Sequence, residues 1–118
     1  MTGTTSLTLV DLAKLRERFD DDEELLGEIF RIFLSEVPDR RTNILAALAA
    51  GDLDRLSRLA HSLKGVAGTM FAEDLRRAAY DLEIASRNGD GAQSAHLGAE
   101  ALELLGRVAA ELTAYLEP

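Results

Sequence analysis

Apolar residues recur at helical spacing along almost the whole chain of 118 residues. A short pattern covers about residues 10–19, and a longer one begins after the acidic run at residues 20–24. Pro38 either ends or restarts that second helix, whose pattern continues to a natural stop at Gly51. The apolar side of its first half is formed by Leu25, Leu26, Ile29, Phe30, Phe33, Leu34 and Val37.

Three more helices are predicted in the second half of the chain. Asp52 caps a helix that runs to about residue 68, and a break at residues 69–72 leads to a helix over 73–87. The segment "RNGDG" is a loop, and a last helix fills about residues 92–116. Strands are not predicted. Four long helices with short connections favour an all-α, antiparallel up-and-down four-helix bundle, with the short first helix as a lid.

The domain organisation follows from the same pattern. The Thr- and Gly-rich residues 1–8 are predicted to be a disordered tail, and residues 9–118 a single helical-bundle domain. No apolar run approaches the roughly 20 residues that a membrane-spanning helix needs. We therefore predict a protein without membrane insertion, and the absence of cysteine fits a cytoplasmic location.

Composition narrows the classes of partner and chemistry. The chain has no cysteine, which excludes disulfides, thiolate metal sites and cysteine nucleophiles. The formal net charge of −8 argues against general binding to nucleic acid or anionic membranes, because those surfaces attract basic patches. The expected partners are other proteins.

The candidate chemistry lies in "RLAHSLKGVAGTM", residues 58–70. At about 100° per residue, His61 falls in the middle of the polar face of its helix. The same face carries Asp54, Ser57, Arg58, Lys64, Gly65 and Gly68, whereas Leu56, Leu59, Leu63, Val66 and Met70 lie opposite. His61 is therefore predicted to be exposed to solvent.

The two glycines on this face need an explanation, because glycine inside a helix costs roughly 1 kcal/mol relative to alanine. One interpretation is that Gly65 and Gly68 leave a depression beside the imidazole where another protein can approach. The alternative is that Gly65 permits close packing against a second helix and Gly68 begins the C-terminus. Lys64 and Arg58 would attract an anion placed on the ring.

These residues carry a family resemblance. "AHSLKG", the small residues "VAG" and the helix "DLRRAAYDLE" resemble the histidine-containing phosphotransfer (HPt) domain of phosphorelays and of chemotaxis kinases, over about residues 25–116. The resemblance implies that His61 is phosphorylated, that Lys64 assists the phosphoryl group, and that Gly65 is left bare for a partner. Phe71 departs from the family, which commonly has glycine there, and this puts the geometry of the turn in doubt.

A neutral imidazole can attack phosphorus without a separate base. Nε2 is the expected nucleophile because it projects farther from the backbone, and Nδ1 must then hold the proton. Glu83 is the candidate acceptor for that proton, because residues 61 and 83 are equidistant from the turn between two antiparallel helices. An ordinary solvated glutamate is the alternative. The rest of the predicted binding surface consists of Arg58, Ser57, Ser62, Gly65 and Gly68. Apolar residues that could add to this surface are Ala60, Val66, Ala67 and Phe71, although several of them are expected in the core.

The sequence has no phosphate-binding loop and no dinucleotide fingerprint, so it is predicted not to be an autonomous kinase. The expected partner is a receiver domain that brings the aspartate and its Mg²⁺, with no cofactor or metal on this chain. A separate ATP-binding kinase domain is a second candidate donor. Two competing hypotheses are an interaction-only bundle and, with weaker support, a metal site at His61 and His96. A monomer is the simplest expectation.

Overall fold

The computed structural model describes residues 7–117, and every regular element in this range is a helix. The five elements are α1 (Leu12–Arg18), α2 (Glu23–Ala50), α3 (Leu53–Thr69), α4 (Glu73–Arg87) and α5 (Gly91–Leu116). The connections between α2, α3, α4 and α5 are only two or three residues long. Consecutive long helices are therefore antiparallel, and the predicted four-helix bundle with a short N-terminal helix is confirmed.

Aspartates set most of the helix starts. In four cases a side-chain oxygen of the residue before the helix accepts the backbone N–H three residues on, which satisfies one of the free amides of the first turn. These caps are Asp11 for α1, Asp22 for α2, Asp52 for α3 and Asp90 for α5. At the other end of α2, Gly51 adopts the left-handed conformation with φ 65°. The predictions of an acidic cap before α2, of Asp52 and of Gly51 are confirmed.

Pro38 neither ends nor restarts a helix. It lies inside α2, which continues without a break for 28 residues. Proline removes one intrahelical hydrogen bond and crowds the preceding turn. The packing of α2 on both sides of Pro38, through Phe33 and Ile44, outweighs this local cost.

The four long helices close into a bundle of 49 × 22 × 19 Å, in which α2 and α4 each pack against both α3 and α5. Phe30 of α2 meets Tyr115 of α5 edge to face, with 5.5 Å between ring centroids. The largest fully buried apolar side chains are Phe30, Leu15, Leu26, Ile44, Leu56, Leu63, Met70, Leu75, Leu82, Leu105 and Leu112. Each long helix contributes one apolar side to a single core.

The segment before α1 is held against α5. Glu111 accepts hydrogen bonds from the backbone N–H of Thr8 at 2.8 Å and of Leu9 at 3.0 Å, and from the Thr8 hydroxyl. Val10 and Leu15 bury their side chains at this end of the bundle. Residues 1–6 of the predicted tail lie outside the described residues, and Thr8, at its end, is fixed by Glu111.

The turn between α3 and α4 resolves the doubt raised by Phe71. Phe71 adopts φ 52°, the left-handed conformation that glycine takes most easily. The Ala72 N–H donates to the Ala67 carbonyl at 2.9 Å, closing a helix end of the Schellman type. The Phe71 carbonyl in turn accepts the Asp11 N–H at 3.0 Å. A turn of the glycine type is thus formed by a phenylalanine.

Candidate functional site

His61 stands on the outer side of α3. Its side chain is 68% exposed, while Leu56, Ala60, Leu63 and Ala67 of the same helix are fully buried. The prediction of an outward histidine is therefore confirmed. Of the apolar docking candidates, Ala60 and Ala67 belong to the core and cannot meet a partner. Val66 and Phe71 are half-buried and pack against that core.

Glu83 of α4 lies beside the imidazole, 22 residues further along the chain. Its side chain is only 2% exposed, and its Oε2 is 2.8 Å from His61 Nδ1. Because a carboxylate can only accept hydrogen bonds, this contact places the ring proton on Nδ1. Among the described residues, Nε2 has no hydrogen-bond partner. The alternative of an ordinary solvated glutamate is wrong.

Two cations share the same carboxylate. Lys64 Nζ is 2.8 Å from Glu83 Oε1, and Arg87 Nη2 is 2.6 Å from Oε2. The Lys64 ammonium holds the pKa of Glu83 below its ordinary value; burial opposes this shift and the hydrogen bond with His61 supports it. Glu83 is therefore an anion that the fold buries with compensating charge on both oxygens.

Lys64 is positioned from a second side by an aromatic ring. Its Nζ lies 5.4 Å from the centroid of the Tyr80 ring, within the range of a cation–π contact. Tyr80 and Glu83 are one helical turn apart on α4, so both reach the same ammonium group of α3. Lys64 is 27% exposed and remains accessible to an anion at the surface.

The bare backbone at Gly65 faces open space. A Cβ built on Gly65 would meet nothing within 4 Å, so close packing against another helix is not the reason for this glycine. At Gly68 a Cβ would be 3.7 Å from Arg76 Cδ, an ordinary contact with α4. The open space on this face of α3, where another protein could approach the backbone, therefore lies at Gly65.

Three predicted binding residues have partners of their own. Arg58 pairs with Asp54 one turn earlier on α3, and the Ser57 hydroxyl donates to the Asp54 carbonyl at 2.9 Å. The Ser62 hydroxyl accepts a hydrogen bond from Arg40 Nη1 of α2 at 3.1 Å. These residues surround the histidine on α3, but the contacts that define the site run from His61 to α4.

Sequence reasoning missed Tyr80, Arg87 and Arg40. The first two had a usable signal, because they lie one turn before and one turn after Glu83 on the predicted helix over 73–87. Arg40 had none, since its contact with Ser62 depends on how α2 packs against α3.

Metal ligands are not assembled here: within residues 7–117 no group of three or more histidine, aspartate or glutamate side chains could hold an ion. His96 is 67% exposed and lies 3.3 Å from Glu100 on its own helix. Across the same described range, no helix has the length and apolar character needed to cross a bilayer.

A four-helix bundle that presents an exposed histidine, backed by a buried acceptor and flanked by bare backbone, has the architecture of a phosphotransfer domain. A model of the Hpt domain family matches residues 28–116, and the chain belongs to this family. Members are phosphotransfer intermediates of phosphorelays and differ in this from ATP-dependent kinases.

Among solved structures, the chain is similar to histidine-containing phosphotransfer protein B from Pseudomonas aeruginosa PAO1. The TM-score is 0.81 at 26% sequence identity, over 95% of this chain and 97% of that one. A comparison with curated proteins gave no match.

Proposed function

We propose that His61 accepts a phosphoryl group from the aspartate of a receiver domain and passes it on to the aspartate of another. The observation that carries the proposal is the exposed imidazole whose Nδ1 is bound to the buried Glu83 at 2.8 Å, which leaves Nε2 free for attack.

The proposed transfer uses only His61 and the two aspartates and needs no cofactor on this chain. The Nε2 lone pair attacks phosphorus, the N–P bond forms, the acyl phosphate O–P bond breaks, and the donor aspartate leaves as a carboxylate. The proton stays on Nδ1, where the Glu83 carboxylate stabilises the positive charge that develops on the ring. In the onward step an acceptor carboxylate attacks phosphorus and the N–P electron pair returns to Nε2.

The surrounding residues are assigned roles by their positions. Lys64 Nζ stands one turn from His61 and can turn towards the phosphoryl oxygens. Gly65 leaves space for the partner's backbone, and Arg58, Ser57, Ser62 and Gly68 belong to the docking surface. The receiver supplies the acidic site and its Mg²⁺, because phosphoryl transfer normally uses this ion and the described residues hold no group of side chains that could bind it. We further propose that the chain acts as a cytoplasmic monomer without kinase activity of its own.

The test is incubation of the protein with a panel of phosphorylated receiver domains, comparing the native chain with His61→Gln. Label is expected on the native protein alone. If label never reaches the native protein, or reaches His61→Gln equally, the proposal fails. A separate ATP-binding kinase domain that labels His61 where no receiver does would instead identify a chemotaxis-type phosphotransfer domain.

A further inference from the structure

Arg87 is the third partner of Glu83, and the proposed transfer leaves it without a role. We propose that Arg87 is a positioning residue that keeps Glu83 compensated while Lys64 leaves it for the phosphoryl group. This inference rests on the proposed function of His61.

The need for such a residue follows from the burial of Glu83. A carboxylate that is 2% exposed is strongly destabilised if its charge partner is removed. Lys64 Nζ is the cation on Oε1, so a bundle that held Glu83 with Lys64 alone would resist any movement of that ammonium group. The phosphoryl group would then have to compete with a buried anion for the same lysine.

Arg87 removes this competition by binding the other oxygen. Its Nη2 is 2.6 Å from Oε2, the oxygen that also contacts His61 Nδ1. The two cations and one carboxylate leave one positive charge in surplus, which matches the arrival of an anionic phosphoryl group. Arg87 can therefore continue to neutralise Glu83 after Lys64 has turned away.

The positions of the two cations assign them different tasks. Lys64 lies one turn from His61 on α3 and has a flexible stem with a point charge, which suits a group that moves. Arg87 is the last residue of α4, one turn beyond Glu83, and its planar guanidinium is better suited to remain on a carboxylate. The C-terminal end of α4 is negatively polarised by the helix dipole, and this also favours a cation at position 87.

The experiment measures the rate of phosphohistidine formation from phosphoramidate, a donor too small to need docking, in Arg87→Gln and Arg87→Lys. Arg87→Gln should slow phosphorylation about two- to fivefold, the range expected of a partly exposed ion pair, and Arg87→Lys should restore most of the rate. In a Glu83→Gln background, Arg87→Gln should cause no further loss, because the charge to be compensated is gone. Arg77→Gln is the matched control, since Arg77 is an exposed arginine of the same helix that pairs with Glu73.

The assay distinguishes a failure of the role of Arg87 from a failure of the function of His61. If neither phosphoramidate nor any phosphorylated receiver domain labels the native protein, the function of His61 fails. If the native protein is labelled and Arg87→Gln matches it, only the role of Arg87 is wrong. If Arg87→Gln lowers the phosphorylation rate equally in the native and Glu83→Gln backgrounds, the role of Arg87 is also wrong, because Arg87 would then act on the phosphoryl group directly. Thermal unfolding of each variant checks that the bundle is intact.

Discussion

Glu83 brings a negative charge into the interface between α3 and α4, where it is compensated by Lys64, Arg87 and the imidazole. The same contacts that stabilise the anion also fix the tautomer of His61. Stability and reactivity are therefore linked through one carboxylate, and a change at this residue should affect both.

Replacing Glu83 with glutamine should lower the rate of phosphorylation at His61 at least about tenfold, because the amide no longer stabilises positive charge on the ring. The helical circular dichroism should be unchanged. Labelling from phosphoramidate measures the rate, and an unaltered rate in Glu83→Gln would dismiss the role of this residue.

The pH dependence of unfolding tests the same carboxylate independently. Because the pKa of Glu83 is lowered in the folded state, its ionised form stabilises the bundle above its ordinary pKa of 4.5. This contribution is lost as pH falls through the lowered value. Native protein should therefore be more stable than Glu83→Gln near neutral pH, and urea unfolding at a series of pH values should show the difference shrinking below about 4.5.

Replacing Gly65 with alanine should change stability and function in opposite directions. Gly65→Ala should raise the free energy of unfolding by up to about 1 kcal/mol, because alanine favours the helix and its methyl group meets nothing. Transfer from a receiver should fall roughly tenfold, since that methyl group occupies the space of the partner. Phosphorylation by phosphoramidate should be unaffected.

Gly106→Ala is the control for this pair of effects. Gly106 is a helical glycine of α5 whose added Cβ would also meet nothing within 4 Å. It should gain similar stability without slower transfer. Equal loss of receiver transfer in both variants, or none in Gly65→Ala, would contradict the proposed approach of the partner at Gly65.

At the scale of residues, the sequence predicted the outward direction of His61 and the contact with Glu83. Both follow from helical periodicity and from counting residues on each side of one turn. The burial of Glu83 and its ion pair with Arg87 could not be predicted from periodicity, because both depend on which side of α4 faces α3 in the packed bundle. The hydrogen bond between Arg40 of α2 and Ser62 could not be predicted either, because it depends on how α2 packs against α3.

At the scale of elements, helix limits were predictable wherever a side chain decides them. Aspartate caps and Gly51 marked the ends of α2 and the start of α3, and the limits of α4 were predicted correctly at residues 73–87. Pro38 shows where local signals fail. Proline disturbs the backbone only locally, whereas α2 continues because apolar side chains before and after Pro38 are buried in the core.

The turn at Phe71 allows backbone strain to be separated from packing. Phe71→Gly and Phe71→Ala both remove the ring, but only glycine accepts φ 52° without a penalty. Phe71→Gly should therefore be more stable than Phe71→Ala by about 1 kcal/mol in urea unfolding. Equal stabilities, or a more stable alanine variant, would mean that the turn has relaxed away from the left-handed conformation.

At the scale of the whole molecule, the N-terminal segment is joined to the bundle across more than a hundred positions of sequence. Glu111 accepts the backbone N–H groups of Thr8 and Leu9 together with the Thr8 hydroxyl. Burial acts to raise the pKa of Glu111, but these hydrogen bonds outweigh it and the pKa is lowered.

Glu111→Gln should destabilise the protein by about 1 kcal/mol at neutral pH, because an NH₂ group in place of Oε2 cannot accept the Thr8 hydroxyl and the hydrogen bonds to Oε1 lose their charge. As for any carboxyl with a lowered pKa, the advantage of the native residue should disappear as pH falls below 4.5. Phosphorylation at His61 should be unchanged. Thermal unfolding across pH, with phosphoramidate labelling in parallel, checks both, and a slower labelling rate would show that this end of the bundle communicates with the histidine.

The turn at Phe71 has a consequence for how the molecule can be built. Every side chain in the proposed chemistry lies between positions 61 and 87, on the two helices that this turn joins. Helices α2 and α5 supply the opposite walls of the core, whereas the hydrogen bond that the described residues make to the imidazole comes from α4. The reactive unit is thus a single helical hairpin, portable in principle to any scaffold that holds its two arms in the same register.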